Sequence, residues 1–162
     1  MVKEKKLILV KKEFRQLTLE ELYAVLRLRA EVFVREQNCP YIDPDNEDQE
    51  AFHVLGYALT GTELLAYARL LKPGAYGTEP SIGRVVTAKQ HRSQKLGKVI
   101  FAEALAWCRQ LFPNQTIRIM AQEYLKRFYE EFDFQVVSDP FLEDDIWHVD
   151  MVLLPHTGVN TP

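Results

Sequence analysis

The 162-residue sequence has little of what marks several specialised classes of protein. It holds two cysteines, Cys39 and Cys108, too few for a disulfide framework. No apolar run approaches the ~20 residues of a membrane-spanning helix, and the N-terminal run Leu7 to Val10 is shorter than the core of a secretory signal. The net charge of −3 is too small to indicate a nucleic-acid surface. We therefore expect a cytoplasmic protein with reduced thiols and with no membrane or nucleic-acid partner.

Several ligand motifs are also missing. Neither G-x-x-x-x-G-K-[ST] nor a G-x-G-x-x-G after a strand occurs, which argues against a nucleoside triphosphate or dinucleotide site. The acidic segment Asp43 to Glu50 lacks the glycine and glutamate that an EF-hand loop requires at its sixth and twelfth positions. Cys39 and His53 make no four-ligand zinc set with their neighbours. We predict no metal and expect the acidic segment to be a solvated loop, with attraction of a cationic amine as the alternative.

Hydrophobic periodicity predicts alternating strands and helices without an internal repeat. Helices are expected over residues 19–35, 95–111 and 123–131. The first should begin at a capping Thr18, with Glu21 three residues later. The buried side of the second is expected to consist of Leu96, Val99, Ile100, Ala102, Ala104, Leu105 and Cys108. The expected strands are residues 7–10, 53–59, 63–71, 82–87, 116–121, 134–137 and 146–153. The sequence therefore predicts a mixed α/β (α+β) fold in one domain over residues 1–154, with helices on both faces of a sheet. Residues 155–162 are expected to form a loose tail.

One strand-to-helix junction suggests an anion site. The strand Ile82 to Thr87 runs into a short loop, and the run Arg92 to Lys98 opens the longest predicted helix. The first turn of a helix has unpaired N–H groups and a partial positive charge, which favour an anion such as a diphosphate. Gly97 would let a ligand approach the backbone, and Arg92, Lys95 and Lys98 add positive charge. The alternative interpretation is an ordinary helix with basic surface residues.

The same residues resemble a known family. The run Arg92-Ser93-Gln94-Lys95-Leu96-Gly97 resembles the coenzyme A signature [RQ]-x-x-G-x-[GA] of the GNAT family of N-acetyltransferases. Leu125 to Phe134 resembles the family's second landmark, a helix with Phe-Tyr before a Gly-Phe turn. The more distinctive string Glu36-Gln37-Asn38-Cys39-Pro40-Tyr41 resembles the ElaA-like branch. The resemblance spans roughly residues 7–154 and implies a GNAT-like fold, whose mixed, mostly antiparallel sheet has about seven strands.

The resemblance implies transfer of an acyl group, acetyl by expectation, from coenzyme A to a small-molecule or peptide amine that attacks directly in a ternary complex. It places the acyl arm along Arg84 to Thr87, in a gap beside the strand that ends at Ala121. The N–H of Val85 or a neighbour would polarise the thioester carbonyl, and Tyr129 would be the general acid; without the resemblance, Tyr129 could equally be a core aromatic. The implied cofactor-binding residues are Val85, Val86, Thr87, Arg92, Ser93, Gln94, Lys95, Leu96, Gly97 and Lys98.

The acceptor side is less defined by the sequence. The sequence leaves the general base open among Glu36, His53, His148 and a water chain. The alternative for each histidine is a structural role, because a lone histidine at a strand end is more often structural. Gln37 and Asn38 could line the acceptor pocket, but a role as turn residues explains them equally well. The candidate acceptor-binding residues are Phe33, Glu36, Gln37, Asn38, His53 and Gln122.

Two residues depart from the family pattern. Lys95 replaces the middle glycine, which we expect to be tolerated unless the position needs a special backbone angle. Asp133 replaces the glycine of the Gly-Phe turn, a mild change because aspartate accepts left-handed geometry. The alternatives to an enzyme are a catalytically silent coenzyme A sensor and an interaction domain. A homodimer formed through the exposed final strands also stays open.

Overall fold

The structure of the protein, a computed structural model, describes residues 6–156, so most of the expected tail, residues 157–162, lies outside the described residues. Its centre is one mixed sheet with the strand order β1-β2-β3-β4-β5-β8-β6 and with β7 paired to β8. Among the strands of residues 6–156, β4 and β5 pair in parallel and the other pairs are antiparallel. The strands are β1 Ile8–Glu13, β2 Phe52–Tyr57, β3 Leu64–Leu71, β4 Ser81–Thr87, β5 Ile117–Gln122, β6 Gln135–Val136, β7 Phe141–Glu143 and β8 Ile146–Leu153. The mostly antiparallel mixed sheet is confirmed, with β7 as an additional strand.

The predicted first helix consists of an α-helix followed by a π-helical segment. Helix α1 spans Leu19–Arg29 and begins at the expected capping threonine, Thr18, whose hydroxyl accepts from the N–H of Glu21 while the Glu21 carboxylate accepts from the N–H of Thr18. The chain continues as a π-helical segment, Ala30–Glu36. Asn38 follows with φ of 49°, a left-handed residue of the kind that ends helices.

The other two helices also lie where the sequence predicts them. A 3₁₀ segment, Lys89–Gln94, leads into helix α2, Leu96–Leu111. A 3₁₀ turn, Glu123–Leu125, leads into the short helix α3, Lys126–Glu130. On α2, Ala102 was expected to be buried but is exposed, and its neighbour Phe101 is fully buried instead. The aromatic ring therefore faces the sheet, where it removes more apolar surface from water than a methyl group would.

Helices α1 and α2 lie on opposite faces of the sheet. Phe52 of β2 packs edge-on against Trp107 of α2, with ring centroids 5.3 Å apart. The next residue, His53, contacts Tyr67, whose ring lies beneath the guanidinium of Arg29 on α1. Because successive side chains of a strand point to opposite faces, the two helices cover different sides. Helices on both faces are therefore confirmed.

Of the acidic segment Asp43 to Glu50, the part Asp43–Asp48 is not a solvated loop, and the expectation was wrong there, whereas Glu50 is exposed. Asp43 and Asp48 are 3% and 6% exposed. The buried guanidinium of Arg29 donates to Asp43 Oδ2 at 2.8 Å and to Asp48 Oδ1 at 2.7 Å. Arg69 of β3 donates from both Nη atoms to Asp45 at 2.7 Å, and its Nε has no hydrogen-bond partner in the described part of the chain. The carboxylates are buried because arginines distant in sequence neutralise them.

Candidate active site

A gap opens between β4 and β5 in the middle of the sheet. Their only register pair is Ser81 with Arg118, at the beginning of both strands. Beyond this pair, β4 and β5 do not pair with each other in the described sheet, although β4 runs on to Thr87 and β5 to Gln122. We call this space the β4–β5 gap. It corresponds to the position that the family resemblance implies for the acyl arm.

Backbone donors of β4 face this gap. The N–H of Ala88 donates to Leu65 O on β3 at 2.7 Å, and Val86 is the register partner of Tyr67 on β3. Since hydrogen-bonding directions alternate along a strand, the N–H groups of Thr87 and Val85 point away from β3 and towards β5. A strand bulge also occurs here, because Arg84 and Val85 together stand opposite the single residue Ala68.

The first turn of α2 borders the gap and is open. The N–H groups of Leu96, Gly97 and Lys98 lie in the first turn and therefore have no acceptor within the helix. No side chain caps the helix either. A Cβ at Gly97 would meet its nearest neighbours, Phe128 and Thr87, at 3.9 Å, an ordinary van der Waals distance. Glycine is therefore not required by packing within the chain. Its absent side chain leaves room for a ligand against the backbone.

Lys95 occupies the position that precedes this turn, with φ of 58° and ψ of 34°. This is the left-handed region that glycine tolerates and other residues rarely adopt. The condition under which we expected lysine to be unsuitable therefore applies. The glycine of the family pattern has a conformational reason, and Lys95 carries backbone strain. Asp133 also has a positive φ, 67°, as expected for its turn.

The basic residues at the tip of α2 are paired with carboxylates of other elements. Both Nη atoms of Arg92 donate to the carboxylate of Glu36 at the end of the π-helical segment. Lys98 pairs with Glu131, just after α3. Lys95, Ser93 and Gln94 are exposed. Positive side chains thus surround the open N–H groups.

Tyr129 of α3 lies on the α2 side of the sheet within an aromatic cluster. Its ring packs edge-on against Phe101 at 5.1 Å and Phe128 at 5.0 Å between centroids. The hydroxyl makes no hydrogen bond to the described residues, yet it is not among the fully enclosed atoms without a partner. Burial, with a smaller contribution from nearby Tyr124, raises the pKa of Tyr129 well above that of a free phenol, so the hydroxyl keeps its proton at neutral pH.

A polar group lines the other side of the gap. Gln122, at the end of β5, exchanges side-chain hydrogen bonds of 3.4 and 3.2 Å with Gln37. Tyr124, which sequence reasoning missed, is exposed and lies near Arg92, Glu36 and Gln37. Its position directly after a strand that borders the gap was the available signal.

Two other expected acceptor-side residues take structural positions. Phe33 is partly buried and packs against the core, and Asn38 is exposed at the helix end described above. The hydrogen bonds that Arg92 donates lower the pKa of Glu36, against a smaller opposing effect of burial, which makes Glu36 a weak base. Of the six expected residues, the structure brings Glu36, Gln37 and Gln122 together.

His53 lies outside this group. Its Nε2 is 2.9 Å from Asp48 O, which can only accept, so Nε2 carries the proton and Nδ1 accepts from the Tyr67 hydroxyl at 2.7 Å. Both ring nitrogens are therefore occupied inside the buried ion network. Burial lowers the pKa of His53 and keeps the ring neutral.

His148 is placed differently. It is the β8 register partner of Gln122, and residues opposite each other in an antiparallel pair share a face. Its Nδ1 lies 2.7 Å from Ile146 O, which can only accept, so Nδ1 is the donor, and Nε2 makes no hydrogen bond to the described residues. The ring stacks against Phe141, which fixes its orientation. The structure therefore groups His148 with Gln122 and Gln37.

Two further facts concern residues 6–156. Among those residues, no three His, Cys, Asp or Glu side chains are grouped so as to hold a metal ion. None of the helices in the same range is both long and apolar enough to cross a membrane.

Comparison with known proteins shows the family and the fold of the chain. A family model described as an acetyltransferase (GNAT) domain matches residues 32–155. Protein ElaA of Escherichia coli is 38% identical over 138 residues, 84% of this chain and 89% of that protein. The crystal structure of E. coli ElaA superposes with a TM-score of 0.83 at 36% identity, over 90% of this chain and 98% of that one.

A second solved structure is equally similar. It is described as an acyl-CoA N-acyltransferase from Pseudomonas aeruginosa and superposes with a TM-score of 0.84 at 38% identity, covering 90% of this chain and 98% of that one. The matched regions include the β4–β5 gap, the tip of α2 and Tyr129. The chain therefore belongs to the GNAT family of acyltransferase domains, in its ElaA-like branch.

Proposed function

We propose that this protein transfers an acyl group, acetyl in the first instance, from coenzyme A to a primary amine. One observation carries the proposal: β4 and β5 separate beyond Ser81 and Arg118, and main-chain N–H groups of β4 face the space between the two strands. A thioester in the gap would have its carbonyl beside the N–H groups of Val85 and Thr87. Main-chain donors placed where negative charge develops lower the barrier to acyl transfer.

The tip of α2 fits the diphosphate of coenzyme A. Its first-turn N–H groups are uncapped, and the space above Gly97 is open. Lys95 and Lys98 add positive charge, and Arg92 can exchange its partner Glu36 for a phosphate oxygen. Coenzyme A supplies an acyl group activated as a thioester. The chain binds coenzyme A and aligns it with the amine. Alignment of two bound reactants lowers the activation barrier by up to roughly 7–11 kcal/mol.

Tyr129 is proposed as the general acid. As the amine nitrogen bonds to the acyl carbon and the carbon–sulfur bond breaks, Tyr129 gives its phenolic proton to the departing sulfur. The raised pKa guarantees that this proton is present at neutral pH.

His148 is the proposed general base that takes the proton lost by the attacking amine. Of the three candidate side chains, Glu36 is held by Arg92 and His53 has no free nitrogen. With its Nδ1 donating to Ile146 O, His148 presents an Nε2 lone pair that accepts no hydrogen bond from the described residues. Acid and base then lie on opposite faces of the sheet, one on each side of the gap.

The proposal is tested with two measurements. Isothermal titration measures the binding of acetyl-, propionyl- and longer acyl-coenzyme A. A free-thiol assay then measures coenzyme A release over a panel of polyamines, aminoglycosides and peptides with free N-termini. We expect micromolar binding of at least one donor, as is usual for enzyme substrates, and thiol release that depends on the acceptor.

The other outcomes decide between the alternatives. Binding without acceptor-dependent release over the whole panel would favour a silent coenzyme A sensor. Failure of every acyl-coenzyme A to bind would favour an interaction domain and refute the proposed function.

A further inference from the structure

The acidic segment Asp43–Asp48 makes direct contact with the strand that lines the gap. Arg84 of β4 donates from Nε to Asp43 Oδ1 at 2.8 Å and from Nη2 to Asp43 O at 3.1 Å. Its Nη2 also lies 3.3 Å from Asp45 Oδ2. The guanidinium lies 5.7 Å from the ring centroid of Tyr41, whose hydroxyl donates to Asp43 Oδ1. The side chain is thus held from several directions.

The backbone of Arg84 is in an unfavourable conformation. Its φ is +51°, in the left-handed region, although it is a bulky residue within a strand. Such a conformation persists only where the surroundings determine it. The contacts on the side chain are that determinant, because in the described sheet the two bulge residues share one opposite position on β3 and lack a β5 partner.

The conformation of Arg84 decides where the next N–H points. A bulge adds one residue to its strand and changes the direction of the groups beside it. Val85 follows Arg84 and presents its N–H to the gap. We infer that Arg84 is a positioning residue: the acidic segment holds its side chain, and thereby fixes the bulge that aims the Val85 N–H at the acyl carbonyl.

Asp43 is itself held in place, which makes it a firm anchor. Arg29 of α1 contacts both Asp43 Oδ2 and Asp43 O, at 2.8 and 3.1 Å. The network contains three arginines and three aspartates, so its formal charges balance. Buried ion networks add little net stability compared with apolar packing, and they fix geometry through directional hydrogen bonds. Arg84 is the arginine through which this network reaches the gap.

The inference rests on the proposed function and predicts a spectroscopic signature. Acetyl-coenzyme A labelled with ¹³C at the acyl carbon, bound to the wild-type protein, should show a thioester carbonyl stretch at lower frequency than in solution, because the Val85 N–H polarises the bond. In Arg84→Gly the backbone remains free to take a positive φ but the anchor is lost. Isotope-edited infrared difference spectra should then show the frequency returning towards the solution value.

The kinetic and binding constants should distinguish a role in positioning the Val85 N–H from a role in binding coenzyme A. With any acceptor found active, kcat of Arg84→Gly should fall by about 10²-fold, the usual effect of losing one such donor. The Kd for acetyl-coenzyme A should change by less than about threefold, because the α2 donors are untouched. Arg84→Lys keeps the charge but not the fork and should give an intermediate frequency; it also serves if the glycine variant does not fold.

Arg118→Gly is the matched control. It removes a half-exposed arginine of β5 that pairs with Glu79 and Asp150, and it should leave the carbonyl frequency at the wild-type value. An unchanged frequency in both Arg84 variants, or an equal change in Arg118→Gly, would overturn the role of Arg84 and leave the proposed function standing. Absence of acetyl-coenzyme A binding to the wild type would instead refute the proposed function itself.

Discussion

Replacement of Tyr129 by phenylalanine separates its possible chemical role from its packing role. The ring contacts with Phe101 and Phe128 do not involve the hydroxyl, so Tyr129→Phe retains them. The hydroxyl makes no hydrogen bond to the described residues, so none is lost among them. We expect the free energy of unfolding to change by less than about 1 kcal/mol, the usual worth of one hydrogen bond.

The effect on turnover follows from proton affinities. A free phenol has a pKa of about 10 and a thiol about 8.5, so proton transfer to the thiolate is uphill by at least about 2 kcal/mol. Burial raises the pKa of Tyr129 and makes the transfer harder still. The gain from this acid should therefore lie near the lower end of the usual ~10²–10⁴-fold range. We expect kcat of Tyr129→Phe to fall by about 10²-fold, or roughly 2.7 kcal/mol of barrier.

The assay combines three measurements on each variant. Thiol release at saturating acyl-coenzyme A and amine gives kcat, isothermal titration gives the Kd for acyl-coenzyme A, and urea unfolding gives stability. Tyr57→Phe is the matched control, because Tyr57 is a half-buried tyrosine of β2 at the other end of the sheet. It should leave all three quantities unchanged.

Two results would refute the argument. An unchanged kcat in Tyr129→Phe would remove the hydroxyl from the reaction. A fall in kcat matched by an equal weakening of coenzyme A binding would show that the residue acts through packing.

Three further substitutions test other parts of the argument. Gly97→Ala should stabilise the fold by up to about 1 kcal/mol, because alanine is the better helix former and the Cβ fits at 3.9 Å, yet weaken acetyl-coenzyme A about tenfold in titration; unchanged binding would place the ligand elsewhere. Lys95→Gly should raise the urea midpoint by relieving a left-handed residue that costs about 1–2 kcal/mol, partly offset by the entropy of glycine; a lower midpoint would contradict the strain. Burial raises the pKa of Asp45, but Arg69 outweighs this and lowers it from 3.8 to about 2. A carboxyl with a depressed folded pKa stabilises the fold above its unfolded pKa, and that contribution disappears as pH falls through the folded value. Asp45→Asn should thus be less stable than wild type at pH 7, by at most about 2 kcal/mol for this shift. The difference should shrink below pH ~4 and be nearly gone near pH ~2. A constant difference in the free energy of urea unfolding across that range would contradict the pairing of Asp45 with Arg69.

The local features of the fold could be predicted from sequence because their causes are local. The capping box of Thr18 and Glu21 and the apolar stripe of α2 lie within a few residues, and each was predicted. The short strand β7 was missed because three residues carry too little periodicity, although Asp144 and Asp145 form its turn with positive φ angles. The family was likewise identifiable from contiguous residues, chiefly Glu36 to Tyr41 and the run before Gly97.

Tertiary structure decided what depends on partners far along the chain. Asp43 is a buried anchor only because Arg29 and Arg84, 14 and 41 residues away, meet it, and its local sequence is that of a solvated loop. The same packing sets the positive φ of Arg84 and Lys95, which no side-chain pattern encodes. The sequence by itself thus determined the elements, the family and the candidate residues. Only the folded chain determined which charges are neutralised, which backbone angles are strained and which histidine keeps a free nitrogen, because electrostatic pairing and backbone strain arise from groups brought together in space.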